Sequence, residues 1–198
     1  YTDIVYAFLN PTSSGDLNFS DGNFKQSEFN NLVSQCKSNG VKPHISIGGA
    51  NLSGNIAAVA ANSTARAKFV SQIVSFVAGK HAKNSVALAG LDIDWEFPTT
   101  VSAKANHLSL IKDLKSALYF DKDVINHVDY MYIMNYDLGS SGYPSSHHSP
   151  YQACVDAFTY YTNNLGFPAS KLLMGIPFYG RSSWSDATWS SLASTANY

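Results

Sequence analysis

Residues 88–98, Leu-Ala-Gly-Leu-Asp-Ile-Asp-Trp-Glu-Phe-Pro, restrict the fold more than any other stretch of the 198-residue chain. Asp92, Asp94 and Glu96 alternate with Leu91, Ile93 and Trp95. In an extended strand, side chains two apart share a face, so the carboxylates point one way and the large apolar residues the other. Burying a carboxylate face is costly unless its charges are paired or used. A parallel barrel accommodates both halves of the pattern: helices cover the apolar face and the acids line the axis. Glu96, the last acid before Phe97-Pro98 ends the strand, then stands at the C-terminal mouth, where such barrels place their chemistry. The run reads as an active site.

The rest of the chain alternates strand with helix. Ile4–Leu9 is a short apolar strand closed by Asn10-Pro11. Phe29, Leu32, Val33 and Cys36 recur at helical spacing over 24–38, and Asn39-Gly40 stops that helix. Residues 41–47 form a second strand ending in Gly48-Gly49. Asn62 opens a helix whose buried stripe is Phe69, Ile73, Phe76 and Val77. After the acidic strand come a helix over 102–118, a strand over 128–136, a Ser-rich loop over 138–150, a helix over 151–164 and a strand over 172–179. Such alternation predicts an α/β fold with a parallel sheet. One interval is too short: between the helix and the strand that opens at Val128 lie only residues 119–127, which predicts a missing strand and a discontinuity near Tyr119–Phe120. Residues 182–198 are expected to begin a loop or insertion.

Composition narrows the function. A net charge of −1 with 14% charged residues argues against nucleic acid, which needs a basic surface. No apolar run approaches the roughly 18 residues of a membrane span. Twelve Tyr, eleven Phe and three Trp among Ser-, Asn- and Gly-rich loops suit a neutral, hydroxyl-rich ligand such as a carbohydrate, although most aromatics in any domain are core. Cys36 and Cys154 fall in separate helices, so free buried thiols are expected rather than a disulfide. An Asp-x-Asp-x-Glu strand could alternatively hold a hard cation. His147-His148 reads as a solvated pair in the Ser-rich loop.

Taken together, the pieces resemble glycoside hydrolase family 18, the chitinase family. Its strand-4 signature is Asp-x-x-Asp-x-Asp-x-Glu, and Ala89 to Glu96 matches three of the four acids, with Ala89 in place of the first. Ser46-Ile-Gly48-Gly49 is similar to the family's strand-3 motif, Met134-Asn-Tyr136-Asp137 to its strand 6, and Gly175-Ile-Pro-Phe-Tyr179-Gly-Arg181 to its strand 7. The resemblance implies a (β/α)8 TIM barrel present here as a single incomplete domain over 1–198, with strands 1, 5 and 8 not evident. With those motifs in place, the cation reading recedes and neither a metal nor a cofactor is expected.

The resemblance also implies roles. Glu96 matches the acid that protonates the departing glycosidic oxygen while the substrate's own acetamido group attacks the anomeric carbon. Asp94 would hydrogen-bond the acetamido N–H, and Asp92 would share a proton with Asp94, so the two titrate as one unit. Tyr136 matches the phenol that orients the acetamido group. Met134 and Asp137 would line its pocket, Tyr179 and Arg181 would contact sugar hydroxyls, and Phe8 and Phe97 would offer apolar contacts to sugar faces. The implied partner is chitin or a chito-oligosaccharide, bound by a secreted, extracellular monomer; sequons at Asn18, Asn51 and Asn62 permit glycosylation. Two other functions share the fold: a lectin that holds chitin without cutting it, and an endo-β-N-acetylglucosaminidase acting on N-glycans.

Overall fold

The computed structural model describes residues 1–117, 128–138, 148–182 and 185–188, with 180–182 and 185–188 described by their backbone alone. The chain divides into two compact units, Tyr1–His127 and Val128–Tyr198.

The first unit runs β1 (Asp3–Ala7), a short hairpin of β2 (Asn10–Pro11) and β3 (Leu17–Asn18), α1 (Gln26–Ser38), β4 (Lys42–Gly48), α2 (Ser53–Ala61), α3 (Ser63–Val77), β5 (Gly90–Asp94) and α4 (Val101–Ala117). Strands β1, β4 and β5 form a parallel sheet with β4 in the centre. Its outer face carries the apolar half of each alternation. Ile45 and Ile47 are fully buried, and they join Phe29 and Val33 of α1, Ile56 and Val59 of α2, and Phe69, Ile73 and Phe76 of α3 in one core. Tyr6 of β1 packs edge-on to Phe24 and Phe29, with ring centroids 5.4 and 5.5 Å apart. Burying each such side chain contributes about 1.5–3 kcal/mol, which is what fixes the sheet against its helices. Asn62 caps α3 as its sequence predicts: its side-chain oxygen accepts from the N–H groups of Thr64 and Ala65 at 3.0 and 3.1 Å.

In the second unit, β6 (Met131–Ile133) pairs in parallel with β7 (Leu172–Met174). Helix α5 (Tyr151–Thr159) lies between them in sequence and continues as a π-helical turn, Tyr160–Asn164. Strands β8 (Tyr179–Ser182) and β9 (Ser185–Thr188) form an antiparallel hairpin.

Several expectations change. Helix α2 is absent from the sequence reading because its Ala- and Gly-rich segment carries little periodicity. The last parallel strand ends at Met174, and the chain from Tyr179 turns into the hairpin instead. Among the described residues the parallel strands form a three-stranded and a two-stranded sheet. The region of the expected discontinuity, Tyr119–Phe120, lies outside the described residues, as do His147 and most of the Ser-rich loop. Both cysteines are free; Cys36 is buried, whereas Cys154 is only partly so. Among the described residues no helix is long and apolar enough to cross a membrane.

Candidate active site

The parallel ladders place the acidic strand in register with β4: Ser46 is opposite Asp92 and Gly48 opposite Asp94. Side chains paired in this way point to one side of the sheet, so the face opposite the apolar core carries Ser46, Asp92 and Asp94 together. Trp95 is buried in the core, edge-on to His107 with centroids 5.4 Å apart. The division into apolar and acidic faces expected from the sequence is present.

Glu96 differs from expectation. Strand β5 ends at Asp94, so no ladder hydrogen bond sets the backbone of Glu96. Ser53, the first residue of α2 and itself buried, does this instead. Its Oγ accepts from the Glu96 N–H at 2.9 Å and donates towards the carbonyl of Gly49 at 3.1 Å, with that of Asp94 at 3.3 Å. The two glycines that close β4 make this approach possible. Both have positive φ, and a Cβ on Gly48 would overlap the Asp94 carbonyl. The Gly48 N–H donates to Asn10 Oδ1 at 2.9 Å, and the Gly49 N–H to the Asp94 carbonyl at 2.9 Å. A Cβ on Gly49 would sit 2.9 Å from the ring of Phe8, so that ring closes over bare backbone. Phe8 is half-buried there, while Phe97 is exposed. The peptide bonds preceding Phe8 and Phe97 are both cis.

Electrostatics separates the acids. Burial pushes the Asp92 carboxyl above the ordinary aspartate range; the Ser46 hydroxyl, which donates to Asp92 Oδ2 at 2.5 Å, and the charge of His44 oppose that rise. Asp94 is pushed up to about 6, first by burial and then by the negative charges of Glu96 and Asp92. A carboxyl that keeps its proton to this pH beside two other acids can pass a proton or donate a hydrogen bond in mild acid. Among the described residues, no three His, Cys, Asp or Glu side chains are placed to hold a metal ion. Ala89 precedes β5 and is exposed, its N–H bonded to the Pro43 carbonyl at 2.8 Å. It lies outside the ladder that sets the Asp92–Asp94 face.

The second unit brings together a different group. Asp137 follows β6 with φ +61°, a backbone conformation to which Asp is better suited than most residues. Its Oδ1 accepts from the Tyr179 hydroxyl at 3.1 Å and lies 3.5 Å from His148 Nδ1. Tyr136 stands edge-on to Tyr179, with centroids 6.3 Å apart. A Cβ on Gly175 would lie 2.7 Å from Cε1 of Tyr136, so that glycine makes room for the phenol ring. Met134 is partly exposed at the end of β6. Arg181 is described by its backbone alone, paired with Asp186 in the β8–β9 hairpin.

Sequence reasoning missed Ser53 and His148 and gave Ser46 no separate role. The Ser-rich context predicts a solvated His148, yet its ring packs against Tyr179 with centroids 5.3 Å apart. For Ser53 the one available signal is a Ser at a helix start, and that helix was itself unrecognised.

The family model "Glycosyl hydrolases family 18" matches residues 1–123 and 119–192. The "Probable chitinase 2" of Drosophila melanogaster is 33% identical over 174 residues, covering 71% of this chain and 35% of that protein. The chain thus spans about a third of that relative's length. Among solved structures, a chitinase from Rhizomucor miehei is 28% identical, with a TM-score of 0.70 over 91% of this chain and 64% of that one. The chitinase domain of the spore coat protein CotE from Clostridium difficile superposes with a TM-score of 0.77 at 24% identity, over 98% of this chain and 65% of that domain, a likeness of fold.

Proposed function

This chain belongs to glycosyl hydrolases family 18, and from that premise we propose that it cleaves β-1,4-linked N-acetylglucosamine polymers by substrate-assisted, retaining acid catalysis. The observation that carries the reading is the Asp92–Asp94–Glu96 array: the backbone of Glu96 is fixed by Ser53, and Asp94 beside it is held at about 6.

The acetamido carbonyl oxygen of the sugar attacks the anomeric carbon as Glu96 delivers a proton to the departing glycosidic oxygen. The C1–O bond breaks, its electron pair leaves with the aglycone oxygen, and an oxazolinium ion forms. Asp94, ionised near neutrality, accepts the acetamido N–H and stabilises the positive charge; Asp92 shares its proton as the pair titrates together. Water activated by Glu96 then attacks the same carbon from the face the aglycone left, restoring the β-configuration. The family resemblance assigns Tyr136 to orient the acetamido group, Met134 and Asp137 to its surroundings, Tyr179 and Arg181 to sugar hydroxyls, and Phe8 and Phe97 to sugar faces. Acting on such a polymer, the protein works outside the cell.

Glu96→Gln tests the proposal. With chito-oligosaccharide as substrate, the full-length variant should lose about 10²–10⁴-fold in turnover while still binding, and the parent should release β-anomers detectable by NMR. If the parent binds and does not cut, the protein is a chitin lectin. If it cuts N-glycans in preference, it is an endo-β-N-acetylglucosaminidase. Release of α-anomers refutes substrate assistance.

A further inference from the structure

Below the acid pair, on the same face of the sheet, lies a hydrogen-bonded His–Asp pair to which the proposed reaction gives no task. The ladders stack three rows across the strands: Gly48 with Asp94, then Ala7 with Ser46 and Asp92, then Val5 with His44 and Gly90. His44 therefore stands one row beneath Ser46 and Asp92 and points to the same side. A Cβ on Gly90 would begin 2.7 Å from His44 Nδ1, so the imidazole rests over bare β5 backbone directly under Asp92. Its Nε2 lies 2.8 Å from Asp3 Oδ1. An ionised carboxylate only accepts, so this contact keeps a proton on Nε2 and turns Nδ1 towards β5. Asp3 suits that part: the hydrogen bond from His44, followed by one from Thr2, holds its carboxyl below the usual range.

The groups facing His44 are Asp3 from β1 and Asp92 from β5, with Lys42 of its own strand beside Asp3. The opposite face of β4 buries Ile45 and Ile47 in the core that includes Phe29 and Val33 of α1.

We propose that His44, braced by Asp3, is a positioning residue that decides how Asp92 and Asp94 divide their proton. The inference rests on reading those two acids as the working pair. With a second proton on Nδ1, the imidazolium puts a positive charge one row below Asp92 and favours its ionised form. An ionised Asp92 in turn repels charge on Asp94, which keeps the proton. Without His44 the order weakens: Asp92 retains its proton to higher pH and Asp94 releases it at lower pH.

Carboxylate ¹³C NMR titration of the full chain, labelled at aspartate, reads this directly between about pH 4 and pH 8. In His44→Gln the Asp92 midpoint should rise and the Asp94 midpoint fall, each by about half a unit. Asp3→Asn, a change at a partly exposed position, should move both in the same senses by less; if His44→Gln does not fold, this variant decides alone. A merely structural role shifts the two midpoints together or not at all, and either result overturns the proposal. The titration needs no substrate, so a protein that cleaves nothing still tests His44, and the Glu96→Gln assay stands apart from it.

Discussion

Replacing Asp94 by Asn should make the protein more stable in mild alkali and leave it unchanged in acid. The carboxyl is raised from the ordinary 3.8 to about 6 by burial and by the charges of Glu96 and Asp92. The folded state therefore holds this proton more tightly than the unfolded chain does. The stabilisation from that proton is fully present below 3.8 and is lost as pH rises through about 6. A gap of about 2 pH units at about 1.4 kcal/mol each would correspond to about 3 kcal/mol. Asp94 is only half-buried, and solvent screening reduces the figure to about 1–2 kcal/mol. An amide resembles the neutral acid in shape and cannot ionise, so Asp94→Asn avoids the penalty. Urea denaturation of both proteins at about pH 4 and about pH 8 gives the comparison, provided the slopes of the two transitions agree. A variant less stable than the parent at the higher pH, or a difference independent of pH, refutes the electrostatic reasoning. Under the proposed mechanism chito-oligosaccharide turnover should also fall in this variant, because Asp94 is the group proposed to stabilise the oxazolinium charge.

Two further substitutions probe how the site is held. Ser53→Ala leaves the Glu96 N–H without its acceptor inside the fold, which should cost about 1–3 kcal/mol in denaturant unfolding and lower kcat more than it raises KM, since Glu96 then loses its fixed position. Gly175→Ala puts a methyl group 2.7 Å from the Tyr136 ring and should displace that phenol; the expected readout is about a tenfold loss in kcat/KM with a change in stability under about 2 kcal/mol. Unchanged kinetics in Ser53→Ala would remove the positioning role assigned to that hydroxyl. An unchanged Tyr136 ring environment by NMR would do the same for Gly175.

How much of this was legible in the sequence follows from how far each feature reaches along the chain. Asp92 and Asp94 could be read as one face because alternation is a local property of a strand, and Leu91, Ile93 and Trp95 marked the other side. The glycines of Ser46-Ile-Gly48-Gly49 were visible as a motif, but their task was not. It is to admit the Asp94 carbonyl, from the end of β5, and the Phe8 ring, from the residue that follows β1, on either side of β4. Glu96 shows where alternation stops being informative: β5 ends two residues earlier, and a serine 43 residues away in an unrecognised helix sets its backbone. His148 looked solvated because a Ser-rich loop gives no sign of the Tyr179 and Asp137 it meets.

The Asp3–His44 pair marks the boundary most sharply. Its members are 41 residues apart, and their meeting depends on the register of β1 against β4, which neither strand's pattern encodes. Ala89, where the family signature has its first acid, stands outside these ladders. The exposed Ala89 lies before β5, whereas His44 lies on the acid face directly below Asp92. On the proposal made above, the position that tunes Asp92 is a different place in the fold from the signature position. A charge that tunes Asp92 from the row beneath it need not come from the acidic strand. Restoring an acid at position 89 should then alter the titration of Asp92 and Asp94 less than removing the imidazole of His44 does.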